Sequence, residues 1–82
     1  MEYRIGQVVR SIAGRDNGKA FIVVRTEPNF VYVADGETRK LEAPKKKKLK
    51  HIQGSYNVSE GIAACIDNGT AENYMLRRFL NS

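Results

Sequence analysis

Eighty-two residues make one small domain with a thin core. A single cysteine, Cys65, and a single histidine, His51, exclude an intramolecular disulfide and the common single-chain zinc sites, and no apolar stretch approaches the roughly 18 residues a membrane helix needs. The net charge is +5, and residues 39–51 hold Arg39, Lys40, Lys45, Lys46, Lys47, Lys48 and Lys50 against one acid, Glu42, so this segment is +6 and the rest of the chain −1.

In chain order, Ile5 to Ala13 reads as a β-strand, with Val8, Val9 and Ile12 β-branched and Gly14 ending the run. Met1 to Arg4 has no apolar segment behind it, so no secretory leader is expected, and a lone thiol suits a reducing compartment. Both make the cytoplasm the expected location. Gly14-Arg15-Asp16-Asn17-Gly18 is turn chemistry, offering positive-φ positions. Ala20 to Arg25 is a nearly continuous apolar run, which predicts a central strand covered on both faces. Thr26-Glu27-Pro28-Asn29 is a second turn, with Pro28 presetting φ and Asn29 suited to a left-handed conformation.

Phe30 to Ala34 is predicted as a third strand. Asp35-Gly36 is a hairpin signal, a fourth strand is expected at Thr38 to Leu41, and Pro44 breaks it. Lys47 to Ile52 forms a fifth strand in this reading, with Leu49 and His51 on one face and Lys48, Lys50 and Ile52 on the other. Five short strands in about fifty residues imply a small barrel or strongly bent sheet. After Gly54 the period changes. Asn57 and Glu60 are spaced as an N-cap and its capping-box partner, Ile62, Cys65 and Ile66 recur at helical spacing, and Asn68-Gly69 is a C-cap signal. Thr70 is placed to cap a second helix. The expectation is two short helices at 58–67 and 71–80, packed on each other or on the barrel, with residues 1–53 as barrel and 54–82 as a helical appendage.

The stretch Gly6-Gln7-Val8-Val9-Arg10-Ser11-Ile12-Ala13-Gly14-Arg15-Asp16-Asn17-Gly18-Lys19 resembles the KOW motif, in which a strand runs into a basic glycine loop and then a second strand. Gly18 matches the motif's glycine. The resemblance continues through Phe21 to Val24, Phe30 to Gly36, Arg39 and Lys47 to Ile52, and is similar to the KOW-containing large-subunit ribosomal proteins of archaea and eukaryotes and to short bacterial KOW-domain RNA-binding proteins. Phe21 stands where many KOW motifs carry another glycine. The resemblance implies a mainly β fold, an SH3-like small β-barrel of the KOW type, that contacts ribosomal RNA through the loop Gly14 to Lys19 and nearby basic residues.

The residues themselves support such a role. Gly14 and Gly18 leave the main chain open to a phosphate. Arg10, Arg15 and Lys19 flank the loop, and Arg39, Lys40, Lys45, Lys46, Lys47, Lys48, Lys50 and His51 extend the basic surface. Lysine, a point charge, suits contact with the phosphate backbone more than bidentate reading of guanine. The expected function is an RNA-binding protein that recognises backbone and shape, with ribosomal RNA and ribosomal proteins as partners and no membrane, small-molecule substrate, metal or cofactor.

The plainer readings are that the lysine run guards a sheet edge and that the two glycines only serve a turn. Phe30 and Tyr32 alternate with valines and read as core or cross-strand partners rather than base platforms. Tyr3, Tyr56 and Tyr74 have no assignable role, and Cys65 reads as a small buried hydrophobe. No nucleophile–base arrangement is evident, since the spacing of Cys65, His51 and Asp67 supports no catalysis. The other function classes left open are a protein–protein adaptor built on the barrel, and DNA binding.

Overall fold

The structure, a computed structural model, describes residues 2–82. It contains strands β1 (Gln7–Ser11), β2 (Ala20–Thr26), β3 (Phe30–Ala34), β4 (Lys45–Lys48) and β5 (Ile52–Val58), then helices α1 (Glu60–Asn68) and α2 (Asn73–Leu80). Single 3-10 turns occupy Gly14–Asp16 and Leu49–His51. The strands form one antiparallel sheet in the order β4-β3-β2-β1-β5.

That order, combined with a short link, curls the sheet. β4 and β5 are the two outer strands, and they are consecutive in the chain. In a flat sheet with strands about 4.8 Å apart they would lie about 19 Å from each other. The four residue steps from Lys48 to Ile52 span at most about 14 Å, so the sheet bends to bring its edges together, although β4 and β5 do not pair and the sheet stays open.

The inner face carries Val9, Phe21, Val23, Val31, Val33 and Ile52, all buried, with Tyr3 and Leu49 packed against them. The outer face carries Ile22 and Ala34, which meet Ile62 of α1 and Leu76 of α2, with Val8, Val24, Leu41, Ile66, Met75, Phe79 and Leu80 around them. The run in β2 explains both cores. Phe21 and Val23 point inward, Ile22 points outward, and all three are fully buried, each contributing about 1.5–3 kcal/mol of transfer free energy.

The central-strand expectation for β2 and the bounds of β3 hold. The expected fourth strand does not form, because the Asp35 side chain organises the chain differently. Its carboxylate accepts from the Glu37 N–H at 2.9 Å, the Arg39 N–H at 2.8 Å and the Thr38 hydroxyl at 2.6 Å. Residues 35–44 are therefore a wound loop, and the lysine run itself is β4. The expected fifth strand over Lys47 to Ile52 is broken by the Leu49–His51 turn, and β5 begins at Ile52 and crosses the boundary expected near residue 53. No non-glycine residue has positive φ among the described residues, so Asn29 is not left-handed.

The helices lie close to their predicted ranges, but their caps differ. Ser59 caps α1, its Oγ accepting from the Ile62 N–H at 3.1 Å, because Asn57 is held in β5. Gly69 ends α1 in the left-handed conformation, as expected. Thr70 belongs to that same end, its N–H donating to the Cys65 carbonyl at 2.8 Å, and Glu72 is the N-cap of α2 without a side-chain bond. α2 docks on the 35–44 loop. Gly36 is buried with φ +79°, a Cβ there would collide with the Asn73 carbonyl, and Arg77 Nη1 donates to the Gly36 carbonyl at 2.6 Å.

The Asp35 carboxyl carries a pH consequence. Burial opposes its ionisation, but the hydrogen bonds from the Thr38 hydroxyl and from the N–H groups of Arg39, Glu37 and Thr38 outweigh burial and hold its pKa below the ordinary 3.8. A carboxyl depressed on folding stabilises the fold above its ordinary range and loses that contribution as pH falls through the folded value. Asp35→Ala is expected to cost about 1.5–3 kcal/mol at neutral pH. The difference from wild type should shrink in thermal melts taken from about pH 5 down to about pH 2. A constant difference across that range would remove Asp35 as the loop's organiser.

Candidate nucleic-acid interface

The β1–β2 loop is built by Gly14 and Gly18, with φ of +75° and +90°. A Cβ at either would meet nothing within 4 Å, so side chains are excluded there by backbone strain and not by crowding. Both glycines are exposed, as are Arg15 and Lys19. Arg10, exposed on β1, donates its Nη1 to the Gly18 carbonyl and braces the loop from the outer face.

Asp16 fixes the loop from the other side. It is 5% exposed, and its Oδ2 lies 3.3 Å from Arg39 Nη2 and 3.7 Å from Lys47 Nζ. Lys47 Nζ also donates to the Ala13 carbonyl at 3.4 Å. One carboxylate thus ties the β1–β2 loop, the 35–44 loop and β4 together. The Arg39 Nε is buried without a partner.

This arrangement corrects the reading of the lysine run as one uniform basic strip. Along β4 the side chains alternate, as any strand requires. Lys47 pairs in register with Val31 and points to the inner face of the sheet, buried and facing Asp16. Arg39 is half-buried on the same carboxylate. Lys45, Lys46, Lys48 and Lys50 are exposed, as is Lys40 on the loop. His51 is half-buried in the turn, its carbonyl accepting from the Ile12 N–H at 2.9 Å. Of the sequence-predicted cations, Arg10, Arg15, Lys19, Lys40, Lys45, Lys46, Lys48 and Lys50 face solvent with no ion pair among the described residues. Lys40 does lower the pKa of exposed Glu42, though less than the hydrogen bond from Asn73 does.

The outer face of the sheet adds two residues that the sequence gives as core or cross-strand partners, and it is the cross-strand role that they take. Phe30 and Tyr32 point outward, half-buried, their ring centroids 5.8 Å apart in an edge-to-face pair. Lys46 lies opposite Tyr32 and Lys48 opposite Phe30, and the Lys46 ammonium sits 4.0 Å from the Phe30 ring centroid. The register of β2 against β3 slips by one residue between Val23 and Arg25. This bulge turns Arg25 to the outer face, where its guanidinium lies 5.5 Å from the Tyr32 ring centroid and 3.0 Å from Glu27 Oε2. The alternation Phe30, Tyr32, Ala34 was the available signal for the shared face, but nothing local marks the bulge.

A cavity of about 510 Å³ lies between α1 and α2, lined by Ile62, Cys65, Tyr74, Met75 and Phe79 among others. No sequence-predicted site residue lines it. Cys65 is half-buried on this groove, not sealed in the core. Among the described residues no group of three or more His, Cys, Asp or Glu side chains is placed to hold a metal ion, and no helix is long and apolar enough to cross a membrane. In comparisons with known proteins, no family model and no curated protein matches the chain.

Proposed function

We propose that the chain is an RNA-binding protein that grips the phosphate backbone of structured RNA, with ribosomal RNA as the expected target and the curled sheet serving as an SH3-like barrel of the KOW type. The observation that carries this reading is the set of eight exposed cations without an ion pair on β1, the β1–β2 loop, the 35–44 loop, β4 and the turn after it, beside a loop whose Gly14 and Gly18 stand open to solvent although the Gly18 N–H is itself taken by the Ser11 carbonyl. The anchoring of Asp16 supports it further. By consuming Arg39 and Lys47 internally, the carboxylate holds the loop against β4, so the free cations lie on a pre-ordered frame and lose less freedom on binding.

The β3–β4 register places Lys45 beside Val33 and Lys48 beside Phe30, so the exposed lysines of β4 extend over about 10 Å from the loop end of the sheet to its other end. Each cation that engages a phosphate releases counterions, and about five engaged would give a log–log salt slope near −4 on a duplex. Lysine contributes charge without base reading, so the binding depends on backbone and shape.

The test is an anisotropy titration of a structured RNA at several salt concentrations. Lys45, Lys46 and Lys48 changed together to alanine should weaken binding by about 100-fold near physiological salt and lower the slope by about 2–3. Lys47→Met should leave the slope unchanged, because that ammonium faces Asp16. Equal slopes for wild type and the triple variant would overturn the proposal.

A further inference from the structure

We infer that the outer face of β2, β3 and β4 carries a second contact surface, a stacking ledge of Phe30 and Tyr32 that takes unpaired RNA bases beside the phosphate-gripping loop. The inference rests on the RNA-binding reading and names which part of an RNA this face would take.

The ledge is the end of a sheet face that the helices leave bare. Ala34, Tyr32 and Phe30 share the outer face of β3. Ala34 is buried under α2, while Tyr32 and Phe30 extend beyond the helical cover and stay half-exposed. Around these rings stand Arg25, Lys46 and Lys48, all exposed, with Glu27 paired to Arg25. Arg25 reaches this face only because of the bulge in β2, without which strand alternation would direct it inward. The sheet thus sets two aromatic planes among three cations, the combination that single-stranded nucleic acids require: π-faces for bases and charge for the backbone.

In the free protein the rings are not bare. Lys46 covers Phe30 and Arg25 covers Tyr32. A cation over an exposed ring is a weaker contact than a stacked base. A base can therefore displace either side chain, and the displaced cation is then free to meet the phosphate next to that base. The same lysine shields the apolar ring before binding and neutralises backbone charge after it. Lys45 lies at the loop end of β4 and Lys46 and Lys48 stand on the ledge face, so one strand serves both surfaces, and the RNA fitted by the two together is a helix with an adjoining unpaired segment.

The test compares two probes, a labelled oligouridylate and a labelled RNA duplex, with wild type and a Phe30→Leu/Tyr32→Leu variant. The variant should lose about 10- to 100-fold on the oligouridylate and less than about twofold on the duplex, with the salt slope on the duplex retained. The ring-retaining variant Phe30→Tyr should bind both probes as wild type does. In wild type, NMR signals of the Phe30 and Tyr32 ring protons should move upfield when oligouridylate is added. This last measurement needs no variant, so it holds even if the double substitution unfolds the chain. Unmoved ring signals, or equal losses on both probes by a folded variant, would overturn the ledge while leaving the RNA-binding reading intact. Wild type that binds neither probe would overturn both.

Discussion

Asp16→Ala is expected to remove about 3–5 kcal/mol of stability, because it leaves the buried Lys47 ammonium without its carboxylate and takes the ion-pair partner from half-buried Arg39. Lys47 is 8% exposed and its ammonium has the Asp16 carboxylate and one carbonyl as neighbours. Arg39 already carries one buried N–H without a partner. A domain of this size has a total stability of about 4–12 kcal/mol, so the variant should be marginal at best. Lys47→Met removes the charge and keeps the apolar stem in place. It should cost less, because Asp16 retains Arg39. Chemical denaturation of Asp16→Ala, Lys47→Met and the double variant forms a mutant cycle, and the double variant should be more stable than Asp16→Ala alone. If Asp16→Ala and Lys47→Met prove equally mild, the carboxylate is not the clamp described.

Leu76→Ala is the second large effect, at about 3 kcal/mol. Leu76 has no exposed surface and fills the space between Ile22, Ala34 and Ile62. With a loss of about 3 kcal/mol, the melting temperature should fall by roughly 15 °C. The loss is localised to the outer core, which the inner core of Val9, Phe21, Val23, Val31, Val33 and Ile52 does not share. Amides of α1 and α2 should therefore exchange with solvent well before those of β1 to β3 in the variant. Uniform exchange across sheet and helices would show that the two cores are energetically one.

The contrast between these two sites also shows what the sequence discloses. The triple burial of Phe21, Ile22 and Val23 was legible, because a strand without polar alternation has to be covered twice. The positive φ of Gly14, Gly18 and Gly69 was legible for a similarly local reason. Asp35-Gly36 misled, since the same dipeptide that favours a two-residue hairpin also favours an Asp side chain wrapped by its own backbone, and here the second choice is fixed by α2 seated on Gly36. Asn57 and Ser59 are both good caps. Pairing of Val58 with Gln7 draws Asn57 into β5 and leaves Ser59 at the helix.

The basic surface was legible as composition and not as geometry. A run of four lysines says nothing about which one turns inward, and only the register against Val31, with Asp16 arriving from a distant loop, singles out Lys47. Phe30 and Tyr32 alternate with valines, which suits core or cross-strand partners, and the cross-strand role is the one they take, opposite Lys48 and Lys46. The valines are indeed the buried set, and the rings take the opposite face.

An open sheet leaves two rims, and each carries its own safeguard against pairing with a second copy. Along β4, a symmetric antiparallel approach would set exposed lysines of one chain directly against those of another, at the roughly 5 Å separation where like charges repel most strongly. Along β5, the register against β1 slips between Gln7 and Val9, Ser55 caps the Asn57 N–H with its own hydroxyl, and Tyr56 is thrust wholly into solvent. A partner strand would find that rim kinked and obstructed. The chain should consequently resist fibril growth and stay dispersed at high concentration, and masking the β4 charges with a polyanion should relax that resistance on one rim alone.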